Sequence, residues 1–208
     1  YQINTNLTSL STNSITNSIN SVKQDYFTAN TGKFGKAFRR SAMLTKVDEV
    51  SSAVLSSRAV IRMQQRIVPV INIFNKFTLT FPATIAKPAA NASPSDDDFI
   101  VRSNTFLVDG RPCRILNEQA PNVATTKLQV VESGTAVVVV DNIGSFSTTT
   151  GLLTITAFRP TGLLGGSANI KIAVLPANQS VIAPERNNII KYDAAASTIT
   201  AVTTEADN

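Results

Sequence analysis

The sequence predicts an α+β chain: an N-terminal helical arm followed by a mostly antiparallel, sandwich-like β domain. Three observations carry this. Residues 1–66 hold nine Lys/Arg against Asp25, Asp48 and Glu49, whereas residues 67–208 hold ten bases against eleven acids, so the basic character belongs to the first third. The apolar period is three to four residues in that third and changes to two near Arg58. Beyond it, turn signals recur every 8 to 15 residues with no helical stripe between them. The expected division is a helical assembly arm over 1–57 and an antiparallel β domain over 58–208, with a loop over 82–98 that could split the latter.

Of the first 21 residues, 14 are Asn, Ser or Thr, which are mediocre helix formers. Leu7, Leu10, Ile15, Ile19, Val22 and Tyr26 nevertheless form one stripe, so a helix here needs a partner to bury it. Asn30, Thr31 and Gly32 break the pattern. A second helix is expected from Lys33, with Phe34, Ala37, Phe38, Ser41, Leu44 and Val47 on one face and Lys36, Arg39, Arg40 and Lys46 mainly off it. From Arg58 the alternation predicts a strand that aligns Arg58, Arg62 and Arg66 on one side, about 13 Å between successive members. Pro69 ends it, and a second strand follows with Ile71, Ile73, Phe77, Leu79 and Phe81 on one face.

Residues 82–98 read as a surface loop with three prolines and Asp96–Asp98. Asp109–Gly110 between Thr105–Val108 and Pro112–Leu116 predicts a tight hairpin. Ser133–Gly134 between Lys127–Glu132 and Thr135–Val140 predicts another, with Asp141–Gly144 closing the valine run. Strands are expected over Leu152–Phe158 after Gly151, over Ile170–Leu175 after Gly165–Gly166, and over Asn187–Tyr192. A sandwich is the first choice of architecture and an open barrel the second.

The chemistry of many sites is excluded by composition. With no His, imidazole catalysis and His metal ligation are absent from this chain. Cys113 is the single cysteine, so no internal disulfide forms, and it reads as a packed thiol. Asp96–Asp98 lacks the ligand spacing of a calcium loop. Gly162–Gly166 lacks the Lys-Ser/Thr of a phosphate loop, and no Gly-x-Ser-x-Gly elbow occurs. No run of about 18 apolar residues is present to span a bilayer, and no signal-peptide pattern stands at the start. The opening residue, Tyr1, suggests a piece of a longer protein. No catalytic residue, cofactor site, metal site or small-molecule substrate is expected.

The stretch Gln24–Asp48 (QDYFTANTGKFGKAFRRSAMLTKVD), followed by Ile61–Pro69 (IRMQQRIVP), resembles the C-terminal part of the baseplate wedge subunit of T-even-type contractile-tailed phages. Val140–Phe146 (VDNIGSF), Gly151–Phe158 (GLLTITAF) and Pro176–Asn187 (PANQSVIAPERN) are similar to that family too. The resemblance spans residues 24–192 and implies a non-enzymatic structural protein of the virion, located in the tail baseplate. It implies association with further copies of itself and with other wedge proteins, in a ring that changes shape when the tail contracts. Within that reading Phe34, Phe38, Leu44 and Val47 would pack the arm into a helical bundle, and Arg58, Arg62 and Arg66 would orient it against acidic neighbours. The rivals are a nucleic-acid-binding module using the basic third and a carbohydrate-binding or carbohydrate-degrading β domain. The first lacks exposed aromatic platforms and any reader motif; the second lacks exposed aromatics on its strands and a recognisable carboxylate pair.

Overall fold

A computed structural model describes residues 1–89, 95, 97–119, 124–184 and 189–204. In chain order its regular elements are β1 (Gln2–Ile3), α1 (Thr12–Asn30), β2 (Phe38–Arg39), α2 (Arg40–Asp48), β3 (Val54–Ser56), β4 (Met63–Ile67), β5 (Asn75–Thr80), β6 (Val101–Ser103), β7 (Phe106–Val108), β8 (Arg111–Asn117), β9 (Thr125–Glu132), β10 (Val138–Ser147), β11 (Leu152–Phe158), β12 (Gly162–Leu163), β13 (Ile170–Val174), β14 (Val181–Ile182) and β15 (Val202–Thr203). The α+β class is as the sequence predicts. The chain divides into two compact units, Tyr1–Val60 with Gln179–Asn208, and Ile61–Asn178. The consecutive division at residues 57 and 58 makes no provision for the return of the C-terminal segment to the first unit.

That return follows from strand pairing. In the first unit β1 lies between β15, parallel to it, and β3, antiparallel to it, while β14 pairs with β2. Helix α1 starts where Ser11 accepts a hydrogen bond from the Ser14 amide, 3.2 Å away. It ends where the Thr31 amide and hydroxyl both donate to the Phe27 carbonyl, at 2.9 and 2.7 Å. The predicted stripe is partly confirmed: Ile15, Ile19 and Tyr26 are buried, but Leu7 and Leu10 precede the helix and are exposed. Ile15 and Ile19 pack in one cluster with Ile3, Val47, Ala53 and Val54.

The second helix is shorter than predicted. Gly35, at φ +72°, sits in a turn that no helix can traverse, so Phe34 lies outside α2 and Phe38 joins a strand. The arginine strand is corrected likewise. Only Met63–Ile67 is strand, so Arg66 alone of the three lies in it; Arg58 belongs to the first unit and Arg62 precedes β4.

In the second unit the strands form one continuous sheet in the order β4-β13-β6-β8-β9-β10-β11-β5, with β7 and β12 off that path. Its outer strands approach each other, and the Gln65 side-chain amide donates to the Thr80 carbonyl across the gap. The result is a nearly closed barrel, the second choice of the sequence reading, rather than two stacked sheets. Register shifts in β10 and β11 supply the bending that a flat sheet lacks. Ile115, Leu128, Ile143, Phe146, Leu153, Ile155, Phe158, Ile170 and Ile172 are fully or almost fully buried.

The Asp109–Gly110 hairpin forms as predicted, both residues at positive φ (48° and 79°), with Phe106 opposite Cys113 and Val108 opposite Arg111. Leu152–Phe158 is also a strand as predicted. Three expectations fail. Asp141–Gly144 does not end a strand, because β10 runs through it to Ser147; Ile71–Phe74 forms a turn, with Asn72 at φ +63°. The strand expected over Asn187–Tyr192 is absent from 189–192, and residues 187–188 lie outside the described set, as does Asp96.

Gly144 is where the barrel wall is tightest. At φ +150°, a Cβ there would lie 2.0 Å from the Thr154 carbonyl oxygen of β11. Gly144→Ala therefore must push two paired strands apart, whereas Gly110→Ala meets open space and only a left-handed backbone. In denaturant titrations Gly110→Ala is expected to cost ~1–2 kcal/mol and Gly144→Ala distinctly more, ~3 kcal/mol or above.

Candidate assembly surface

The first unit presents its basic residues around an aromatic cluster. Tyr26 and Phe27 project from α1, Phe38 from β2, and Tyr192 from the C-terminal segment. Phe27 stacks on Tyr192 (centroids 4.2 Å, rings 3° apart) and on Phe38 (5.4 Å, 8°), while Tyr26 meets Phe38 edge-on at 6.1 Å. The Tyr26 hydroxyl donates to the Arg39 carbonyl at 2.8 Å and accepts from the Arg39 amide at 3.2 Å. Lys23 lies over the Tyr192 ring, 5.5 Å from its centroid. Sequence periodicity finds Tyr26 but not Tyr192, because no local pattern links positions so distant in the chain.

Between α1 and β2 runs the segment Gly32–Lys36. Gly32 and Gly35 both hold positive φ, and the Gly32 amide donates to the Ile190 carbonyl at 2.8 Å, which ties the segment at its base. Lys33, Phe34 and Lys36 are exposed, Phe34 to 71%. An aromatic ring left in water between two lysines has no role in this unit's core.

The seven residues singled out in the sequence thus part company. Phe38 and Val47 are buried, at 2% and 6% exposure, and hold the first unit together. Leu44 on α2 is half-buried; Phe34 and Arg58 are exposed. Arg62 donates to the carbonyls of Asp97, Phe99 and Ile100 at 2.8–3.2 Å, so its guanidinium organises a loop of the second unit. Arg66 is exposed in β4.

Other charged groups are occupied structurally. Asp97 pairs with Arg102 at 3.1 Å, and Asp98 accepts from the Ser95 amide and hydroxyl, both at 2.8 Å. Among the described residues no three His, Cys, Asp or Glu side chains gather as a metal site would require. Lys127 binds Asp141 at 3.0 Å and Glu118 at 3.2 Å. The hydrogen bond from Lys127, then that from Gln129, holds the Asp141 carboxyl below its ordinary range; the bonds to Asp141 and Glu118 hold the Lys127 ammonium above its own. Burial pushes the Cys113 thiol up, and the Glu132 charge adds to the effect.

Residues 1–66 match the family model described as baseplate structural protein gp6, C-terminal domain III. The match bears out the recognised resemblance, includes the Asn/Ser/Thr-rich start, and is consistent with a baseplate wedge subunit of T4-like phages. A structural protein of the baseplate is located in the virion tail. No curated protein matches the chain.

Two outcomes test these placements. Phe38→Asp is expected to destabilise the fold by ~3 kcal/mol or more, whereas Phe34→Asp should change the denaturation midpoint by no more than ~0.5 kcal/mol equivalent. Cys113 should resist iodoacetamide at neutral pH until the chain is unfolded. Because its thiol titrates higher when folded, the stability held by the neutral thiol is complete below the ordinary thiol range and declines as pH rises through it.

Proposed function

With residues 1–66 matching the C-terminal domain III of the baseplate structural protein gp6, we propose that this chain builds the wedge and inner ring of a contractile tail baseplate by associating with further copies of itself and with other wedge proteins. A structural role in the baseplate is what the family match supports directly. The observation that carries the finer reading is Phe34, a large apolar side chain held out on a glycine-bounded, lysine-flanked turn within the matched region. Aromatic anchors of this kind dominate interface energetics, and the surrounding lysines favour an acidic partner surface.

The division of labour differs from a simple helical bundle. Phe38 and Val47 preserve the unit that displays the turn, and Phe34, Arg58 and the surface lysines are the groups available to a neighbour. The structural role of the matched family supports a non-enzymatic protein. The role proposed for the chain is mechanical: fixing the position and orientation of neighbours.

The test is binding of the purified chain to the other wedge proteins of its phage, measured by light scattering across a salt series. Complex formation should weaken as ionic strength rises, through screening of the basic surface. Phe34→Asp should weaken it about tenfold or more while leaving the fold intact. Complexes unchanged by Phe34→Asp would remove that side chain from the interface. Failure to bind any wedge protein, with DNA taken up instead and released by salt, would replace the assembly reading with the nucleic-acid one.

A further inference from the structure

The turn that carries Phe34 makes little contact of its own. Gly32 and Gly35 hold positive φ, and a Cβ at either would meet nothing within 4 Å. Inside the turn the Lys36 amide reaches the Lys33 carbonyl at a long 3.4 Å. A segment this open takes its position from the places where its two ends are fastened.

The far end of the chain contributes to both fastenings. At the entry, the cap of α1 fixes where the turn begins, and the Gly32 amide donates to the Ile190 carbonyl at 2.8 Å. Two residues on, the Tyr192 ring lies 4.2 Å from Phe27 and 3° from parallel. Lys23, one helical turn before Phe27, stands over the same Tyr192 ring. At the exit, Phe38 and Arg39 of β2 pair with Ile182 and Val181 of β14, and the Tyr26 hydroxyl bonds both backbone groups of Arg39. The Arg40 amide, first in α2, donates to the Ser180 carbonyl at 2.9 Å, where Arg39 provides no side-chain cap. The exit is thus held twice over. The direction of the entry rests on Ile190 and Tyr192. That run belongs to no helix or strand, so the ring stack and the Gly32 bond hold it and the turn to each other.

We propose that Tyr192 is a positioning residue for the assembly turn. By stacking on Phe27 it presents the Ile190 carbonyl to the Gly32 amide, and so sets the direction in which Phe34 leaves the surface. The C-terminal segment and the partner-binding turn then form one coupled element. Such coupling is reciprocal: a seated Tyr192 strengthens partner binding, and a bound partner holds Tyr192 more firmly. The inference rests on the reading of Phe34 as a partner contact, and adds to it a residue that acts through the turn.

Hydrogen exchange of the full chain is measured by NMR for wild type, Tyr192→Ala and Tyr192→Phe, beside the affinity of each for the other wedge proteins. In Tyr192→Ala the Gly32 amide should exchange about tenfold faster or more, while the Ile15 and Ile19 amides change by less than about twofold. Those two residues pack with Ile3, Val47 and Val54, so they report whether the whole unit has loosened. Partner affinity should fall about tenfold in Tyr192→Ala and return in Tyr192→Phe, which keeps the stacking ring. Equal acceleration of the Gly32 and Ile19 amides would make Tyr192 a general packing residue and overturn the proposal. So would a Gly32 amide indifferent to Tyr192→Ala, or a partner affinity unchanged by it. If wild type binds no wedge protein, the reading of Phe34 falls, and the exchange comparison still decides whether Tyr192 holds the turn.

Discussion

Everything in the first unit depends on a polar helix finding something apolar to lie on. Helix α1 is composed largely of Asn, Ser and Thr, and such a sequence does not hold a helix in water by its own propensity. It is held because Ile15 and Ile19 meet Ile3, Ala53 and Val54, and because Tyr26 enters the aromatic cluster. Ile3 is itself placed by β1, whose two residues pair on one side with β15 and on the other with β3. A two-residue strand therefore seats the helix that leads into the lysine-bearing turn. Loss of the Ile3 side chain would remove the floor under both isoleucines at once.

Local signals in the sequence were sufficient where the physics is local. A two-residue Asp-Gly turn demands positive φ at both positions, and it is found where the hairpin was expected. The Leu152–Phe158 alternation, bounded by Gly151, likewise became a strand with the anticipated ends. Reading failed where two periodic rules competed. Phe34, Ala37 and Phe38 fit a helical face on paper, but Gly35 in a left-handed conformation turns the chain between them. The alternating arginines fit a strand, yet Arg62 finds three backbone carbonyls and the strand begins after it.

The candidate surface was legible only in outline. Charge segregation marked the first third, and the family match falls on the same residues. It could not separate Phe34, left in solvent, from Phe38, sealed between Tyr26 and Phe27, because both are aromatic residues of one basic segment.

The pairing of Gln2 with Val202 has a temporal meaning as well as a spatial one. Translation delivers residues 61–178 before either β14 or β15 exists, so the barrel can form on the ribosome while α1 still lacks part of its sheet. Closing β1 against β15 joins positions about 200 residues apart, a contact of the slowest kind. Of the two units, the first is therefore completed later than the barrel. A chain interrupted before β14 would have every strand of the barrel while its first unit still lacked β14 and β15.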